Sequence, residues 1–184
     1  GPVGMPSTGP DNLVNRALEL AGRRASITMT KRIPAQAGLG GGSSDAGAVL
    51  RWAGVDDLHA AAALGADIAF CTVGGRAMVS GIGERVEPLP FVEEVFTLST
   101  PPIGCPTGAI YQRWDALGGP TGPNGNDLEP AAIDVVPELA AWRDELARAT
   151  GQTPRLAGSG STWFVTGAHP GPGRVVATTI PADR

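Results

Sequence analysis

Lys31-Arg32-Ile33-Pro34-Ala35-Gln36-Ala37-Gly38-Leu39-Gly40-Gly41-Gly42-Ser43-Ser44-Asp45-Ala46 is the stretch on which the reading of this chain turns. Gly38, Gly40, Gly41 and Gly42 strip side chains from a loop that opens a helix, the helix being marked by Ala46, Val49 and Leu50. Backbone N–H groups there are free to converge on an anion at the positive end of the helix. The plain alternative is a turn that needs positive φ angles. Ser43, Ser44 and Asp45 serve equally well as a helix N-cap set, and the two roles are compatible. Two other phosphate loops fit poorly. A P-loop requires Lys after its last Gly, where Ser43 stands, and a Rossmann turn follows its strand directly, whereas residues 31–37 intervene here.

Working outward, residues 11–22 place Leu13, Ala17, Leu20 and Ala21 on one helical face, with Asp11 as cap and Gly22 as stop. Residues 25–31 alternate Ile27 and Met29 with polar neighbours, the period of a half-buried strand. Beyond the glycine run, Asp56 caps a helix over 57–64 that Gly65 ends, and 66–70 reads as a short buried connection. Strands are expected at 75–80 and 85–89 around Gly81-Ile82-Gly83, then at 95–99, 163–166 and 175–180. Helical patterns cover 107–117, 127–133 and 137–150, the last with Leu139, Trp142 and Leu146 as its buried stripe. The pattern is α+β, and a break near 90–95 divides it into 1–92 and 93–184.

Composition removes several classes of function. Net charge is −4 with no basic run, so the electrostatic footprint for nucleic acid or an anionic membrane is missing. No apolar run approaches the roughly 18 residues that span a bilayer, and no signal-peptide pattern is present, so a cytoplasmic protein is expected. Cys71, Cys105, His59 and His169 lack metal-ligand spacing and read as packed thiols and solvated histidines. Glu84, Glu87, Glu93 and Glu94 read as a solvated face. Lys31 is the only lysine among 14 basic residues, which limits any mechanism that needs two.

The run from Lys31 to Ala46 resembles the second motif of the GHMP kinase superfamily, and its Gly-Gly-Gly-Ser-Ser-Asp variant resembles the diphosphocytidyl-methylerythritol kinases within it. Further blocks match in order: Leu64-Gly65-Ala66-Asp67, Gly81-Ile82-Gly83-Glu84, Asn126-Asp127-Leu128-Glu129 and Gly158-Ser159-Gly160-Ser161-Thr162. The resemblance implies a two-domain α+β architecture, each domain a mixed or antiparallel sheet packed with helices. It also implies ATP and Mg²⁺ as cofactors, with 4-diphosphocytidyl-2-C-methyl-D-erythritol as small-molecule acceptor in isoprenoid synthesis. Pro34, Ala35, Gln36, Ala37, Gly38, Leu39, Gly40, Gly41, Gly42, Ser43 and Ser44 then face the nucleotide phosphates, and Gly158 to Thr162 brace them. Asp67 acts on the acceptor hydroxyl, although an Asp after a helix-ending Gly also suits a cap. Ser44 is the candidate contact for Mg²⁺. Thr107 and Tyr111 are the implied acceptor-binding pair, Tyr111 stacking on cytosine or else packing as a half-buried helical Tyr.

The family's opening strand with its Pro-x-Lys-x-Asn motif has no counterpart in this chain, nor has the Asp-Gly-Tyr-His-like segment that grips cytidine. The expectation is an N-terminal domain short of its first strands, an active site lacking its lysine, and self-association, for instance as a homodimer, through exposed edges. Another GHMP kinase acting on homoserine or a mevalonate-type alcohol is the alternative, as is a nucleotide-binding fragment without turnover.

Overall fold

A computed structural model describes residue 9 and residues 12–182. The chain divides into two compact units. One holds residues 12–32, Gly40–Glu93 and 179–182; the other holds Ile33–Leu39 and Glu94–Thr178.

In the first unit, four helices enclose a core of small and branched side chains: α1 (Leu13–Leu20), α2 (Gly41–Ala53), α3 (Leu58–Leu64) and α4 (Ala66–Val73). Asn12 starts α1, its side-chain oxygen accepting from Val14 N at 2.9 Å; Asp11, the expected cap, lies outside the described residues. Asp57 rather than Asp56 caps α3 through Ala60 N at 2.9 Å, because the helix begins one residue later than the sequence pattern suggests. Val14, Ala17, Ala46, Val49, Leu50, Ala61, Ile68 and Ala69 meet in the interior. Burial of that order contributes about 25 cal/mol for each Å² of apolar surface removed from water.

Two expectations are corrected in this unit. The apolar stretch after Gly65 is the helix α4, not a connection, since Ile68 and Ala69, both fully buried, pack one side of it against the core. Residues 25–31 form no regular element and join no ladder among the described residues, and they are exposed. Alternation alone does not make a strand where no neighbour accepts its hydrogen bonds. The hairpin β1 (Ala77–Ser80) and β2 (Arg85–Pro88) pairs antiparallel with Ser80 opposite Arg85.

The second unit is a four-stranded antiparallel sheet in the order β4-β5-β3-β6, built from β3 (Val95–Ser99), β4 (Arg155–Leu156), β5 (Trp163–Thr166) and β6 (Arg174–Thr178). Helices α5 (Thr107–Ala116), α6 (Glu129–Val135) and α7 (Leu139–Thr150) complete it. Ile110, Ala131, Ala132, Leu139, Leu146, Leu156 and Trp163 form its core, with Trp142 packed at the margin. Phe96 and Phe164 meet edge to face, ring centres 5.7 Å apart. Helix α6 starts two residues beyond the expected 127, because Asn126 and Asp127 turn their side chains to cap the loop instead.

Two polar expectations change as well. His169 is tied in rather than solvated: its backbone N–H donates to Thr97 Oγ1 at 2.8 Å, and its Nε2 lies 2.8 Å from Gln152 Nε2. Glu129 is 2% exposed, and burial raises its carboxyl above the usual carboxylate range against the opposing pull of Arg143.

Candidate active site

The glycine run spans both units, so its two portions have separate supports. In the first unit, α2 opens at Gly41 directly from Gly40, whose φ of 62° is left-handed and whose missing Cβ leaves open space. Gly40 has no side chain with which to cap the helix. The first intrahelical bond runs from Ser44 N to Gly40 O at 2.8 Å, so the N–H groups of Gly41, Gly42 and Ser43 have no partner inside the helix. Ser43, Ser44 and Asp45 therefore lie inside the helix and do not form its N-cap set, which corrects that alternative. Asp45 instead pairs with Lys31, the chain's one lysine.

Helix α4 packs on α2 at Gly47, where a Cβ would stand 2.7 Å from the backbone carbon of Cys71. Arg51, one turn further along α2, donates to Cys71 O. Asp67 lies one turn before Cys71, so the two share the α4 face that meets α2; Asp67 is exposed. The helix start is fixed by the hairpin tip. Gly83 presses so near that a Cβ on it would be 2.1 Å from Ala66 O. Glu84 closes this tip by accepting from Ile82 N at 2.7 Å, and hydrogen bonding to its own backbone and to that of Ile82 holds its carboxyl below the usual range. Glu84 is thus a turn-forming residue, not part of a solvated face.

Burial pushes the Cys71 thiol up, and the Asp67 carboxylate pushes it further, with Arg51 opposing. Cys105 is likewise raised by burial.

The other portion of the run, residues 34–39, is clamped within the second unit. Cys105 N donates to Gln36 O at 3.0 Å and Thr162 N to Ala37 O at 3.1 Å. Gln36 has a φ of 58°, a left-handed conformation rare for a side-chain-bearing residue. At Gly38, φ is 73° and a Cβ would lie 2.0 Å from Ala157 O and 2.7 Å from Gly160 O, so only glycine fits. The segment thus lies directly on the loop containing Gly158 to Thr162.

Thr107 and Tyr111 sit one turn apart on α5. The Thr107 hydroxyl is 3.0 Å from Ser159 Oγ, and Tyr111 is 51% exposed. Tyr111 also lines a cleft of about 600 Å³ with Trp114, Asn126, Arg155 and Phe164. Sequence reasoning missed the Thr107–Ser159 contact and the hydrogen bonds from Asn126 Nδ2 to Leu156 O and Gly158 O. The only earlier signal for Asn126 was its place in the Asn-Asp-Leu-Glu block.

The donor set fits a nucleotide's phosphate tail: unpaired N–H groups at a helix start, with a side-chain-free approach at Gly40. An ion held chiefly by phosphates needs one or two protein oxygens, which the exposed Ser44 hydroxyl suits.

Comparison with known proteins gives consistent matches. Residues 12–75 match the family of GHMP kinases N terminal domain. The 4-diphosphocytidyl-2-C-methyl-D-erythritol kinase of Paracoccus denitrificans is 35% identical over 192 residues, covering 89% of this chain and 70% of the relative. The enzyme of that name from Novosphingobium aromaticivorans is 38% identical over 173 residues, covering 83% and 61%. A crystal structure of 4-(cytidine 5'-diphospho)-2C-methyl-D-erythritol kinase superposes with a TM-score of 0.67 at 35% identity, covering 87% of this chain and 70% of that one. Across the most similar curated relatives, the chain spans 61% to 72% of their length.

Proposed function

The chain belongs to the GHMP kinases, in the family of 4-diphosphocytidyl-2-C-methyl-D-erythritol kinases, and we propose that it moves the γ-phosphoryl group of ATP to the 2-hydroxyl of that cytidylated acceptor. A bond forms between the acceptor oxygen and the γ-phosphorus while the bond to the bridging β–γ oxygen breaks, releasing ADP. The hydroxyl proton passes toward the Asp67 carboxylate, which orients the attacking oxygen as it does so. The N–H groups of Gly41, Gly42 and Ser43 hold phosphate oxygens. Ser44 would hold Mg²⁺ through its hydroxyl, and the ion would supply charge neutralisation to the phosphates when bound. Thr107 and Tyr111 receive the cytidine end, where stacking on Tyr111 contributes about 1–3 kcal/mol.

One observation carries the reading. Among the described residues, helix α2 begins with three unpaired N–H groups and no side-chain cap, within the span 12–75 that matches the GHMP kinases N terminal domain. The acceptor follows from family membership, and the exposed Tyr111 ring on α5 supports it. No helix among the described residues is long and apolar enough to cross a membrane.

ADP release by the protein, measured with ATP and Mg²⁺, is expected to depend on 4-diphosphocytidyl-2-C-methyl-D-erythritol and to be absent with homoserine or mevalonate. Equal ADP release with any of the three alcohols would reject the acceptor assignment.

A further inference from the structure

We infer that Asn126 is a positioning residue that holds the Gly158–Thr162 loop, and through it the phosphate-facing segment 34–39, in the nucleotide-binding shape. This rests on the proposed kinase reading. Its geometry is a three-way clamp. Asn126 Nδ2 donates to Leu156 O and to Gly158 O, each at 2.8 Å, and Asn126 Oδ1 accepts from Leu128 N at 2.9 Å. Both amide hydrogens and the amide oxygen are therefore committed to backbone, the hydrogens at the entry of the loop and the oxygen at the start of α6.

What the clamp holds is the support of the glycine segment. Ala157, between the two gripped carbonyls, presents the oxygen against which Gly38 is pressed. Two further bonds close the loop: Ala157 N to Thr162 O at 2.8 Å, and Gly160 N to Ala157 O at 2.9 Å. Thr162 N then reaches Ala37 O, and Ser159 Oγ reaches the Thr107 hydroxyl at the start of α5. The loop thus touches the nucleotide-facing segment on one side and the acceptor-facing helix on the other, and Asn126 is the side chain that fixes its entry.

An amide is required here. A carboxylate of the same shape offers no N–H groups and sets its charge against two carbonyl oxygens. A serine keeps an acceptor for Leu128 N and replaces the two N–H donors by one O–H on a shorter side chain.

The test compares wild type with Asn126→Asp and Asn126→Ser, by calorimetric binding of a non-hydrolysable ATP analogue with Mg²⁺ and by amide hydrogen exchange. The expected result is a rise in Kd of about tenfold or more in both variants. Exchange should accelerate at Thr162 and Ala157 while β3 and β5 amides stay protected as in wild type. Should Asn126→Asp fail to fold, Asn126→Ser decides. Wild-type affinity with unchanged exchange at Thr162 would overturn the inference. If wild type binds no nucleotide, the kinase reading fails, and exchange at Thr162 alone decides whether Asn126 holds the loop.

Discussion

Asp67→Asn is expected to lower kcat by about a thousandfold, within the range of 10² to 10⁴ for loss of a positioned general base, while the Kd for nucleotide moves by less than about threefold. The replacement keeps the side chain's size and an oxygen able to accept a hydrogen bond, but it removes the charge and the proton acceptor. A thousandfold loss corresponds to about 4 kcal/mol of transition-state stabilisation. The prediction follows from how α4 begins. Gly83 locks against Ala66 O, Gly47 admits Cys71 against α2, and Asp67 is left exposed on the face shared with Cys71. Cys71, its titratable neighbour on that face, has a raised pKa and stays protonated, so it does not substitute as base. Steady-state kinetics beside calorimetry provide the check. A variant retaining more than about a tenth of wild-type kcat would remove Asp67 from the chemistry.

Gly38→Ala is expected to raise the nucleotide Kd by at least about tenfold and to destabilise the protein by about 2–4 kcal/mol, at the large end for single substitutions. The added Cβ meets Ala157 O at 2.0 Å and Gly160 O at 2.7 Å, and both obstacles are backbone rather than the end of a flexible side chain. The φ of 73° adds about 1–2 kcal/mol of its own for an L-residue. Gly54→Ala separates the two effects. Gly54 also has a positive φ, of 72°, but nothing lies within 4 Å of its missing Cβ. Its alanine variant should lose only about 1–2 kcal/mol and bind nucleotide as wild type does. Thermal melts with nucleotide titrations read both quantities. Equal effects of the two variants on Kd would mean that contact between segment 34–39 and the loop at Ala157 is immaterial to binding.

The parts of this molecule that local chemistry determines were legible in its sequence. The glycine run announces a helix start, and the runs 95–99 and 163–166 read as the strands β3 and β5, although their antiparallel pairing was not legible. Helix α4 was hidden because Ala66 to Val73 is short and apolar with no capping side chain, a run that fits helix, strand or buried connection equally. Residues 25–31 misled for the opposite reason: their period is that of a strand, but a strand also needs a partner that no local pattern supplies. In the site, Asp67 and the glycines were visible because their neighbours in sequence carry the signal. Asn126 was not, since its partners Leu156 and Gly158 lie 30 and 32 residues away and are backbone oxygens, which leave no trace in residue identity. The burial of Glu129 is invisible too, because tertiary packing and not local pattern encloses it.

The claim beneath all of this is that the backbone amides opening α2 grip the phosphates of ATP. Titrating the isotope-labelled protein with Mg²⁺ and a non-hydrolysable ATP analogue, while following the amide resonances of Gly41, Gly42 and Ser43, tests it most directly. All three should shift, and all three should saturate along one binding curve. Saturable nucleotide binding that leaves these three resonances unmoved would contradict the account.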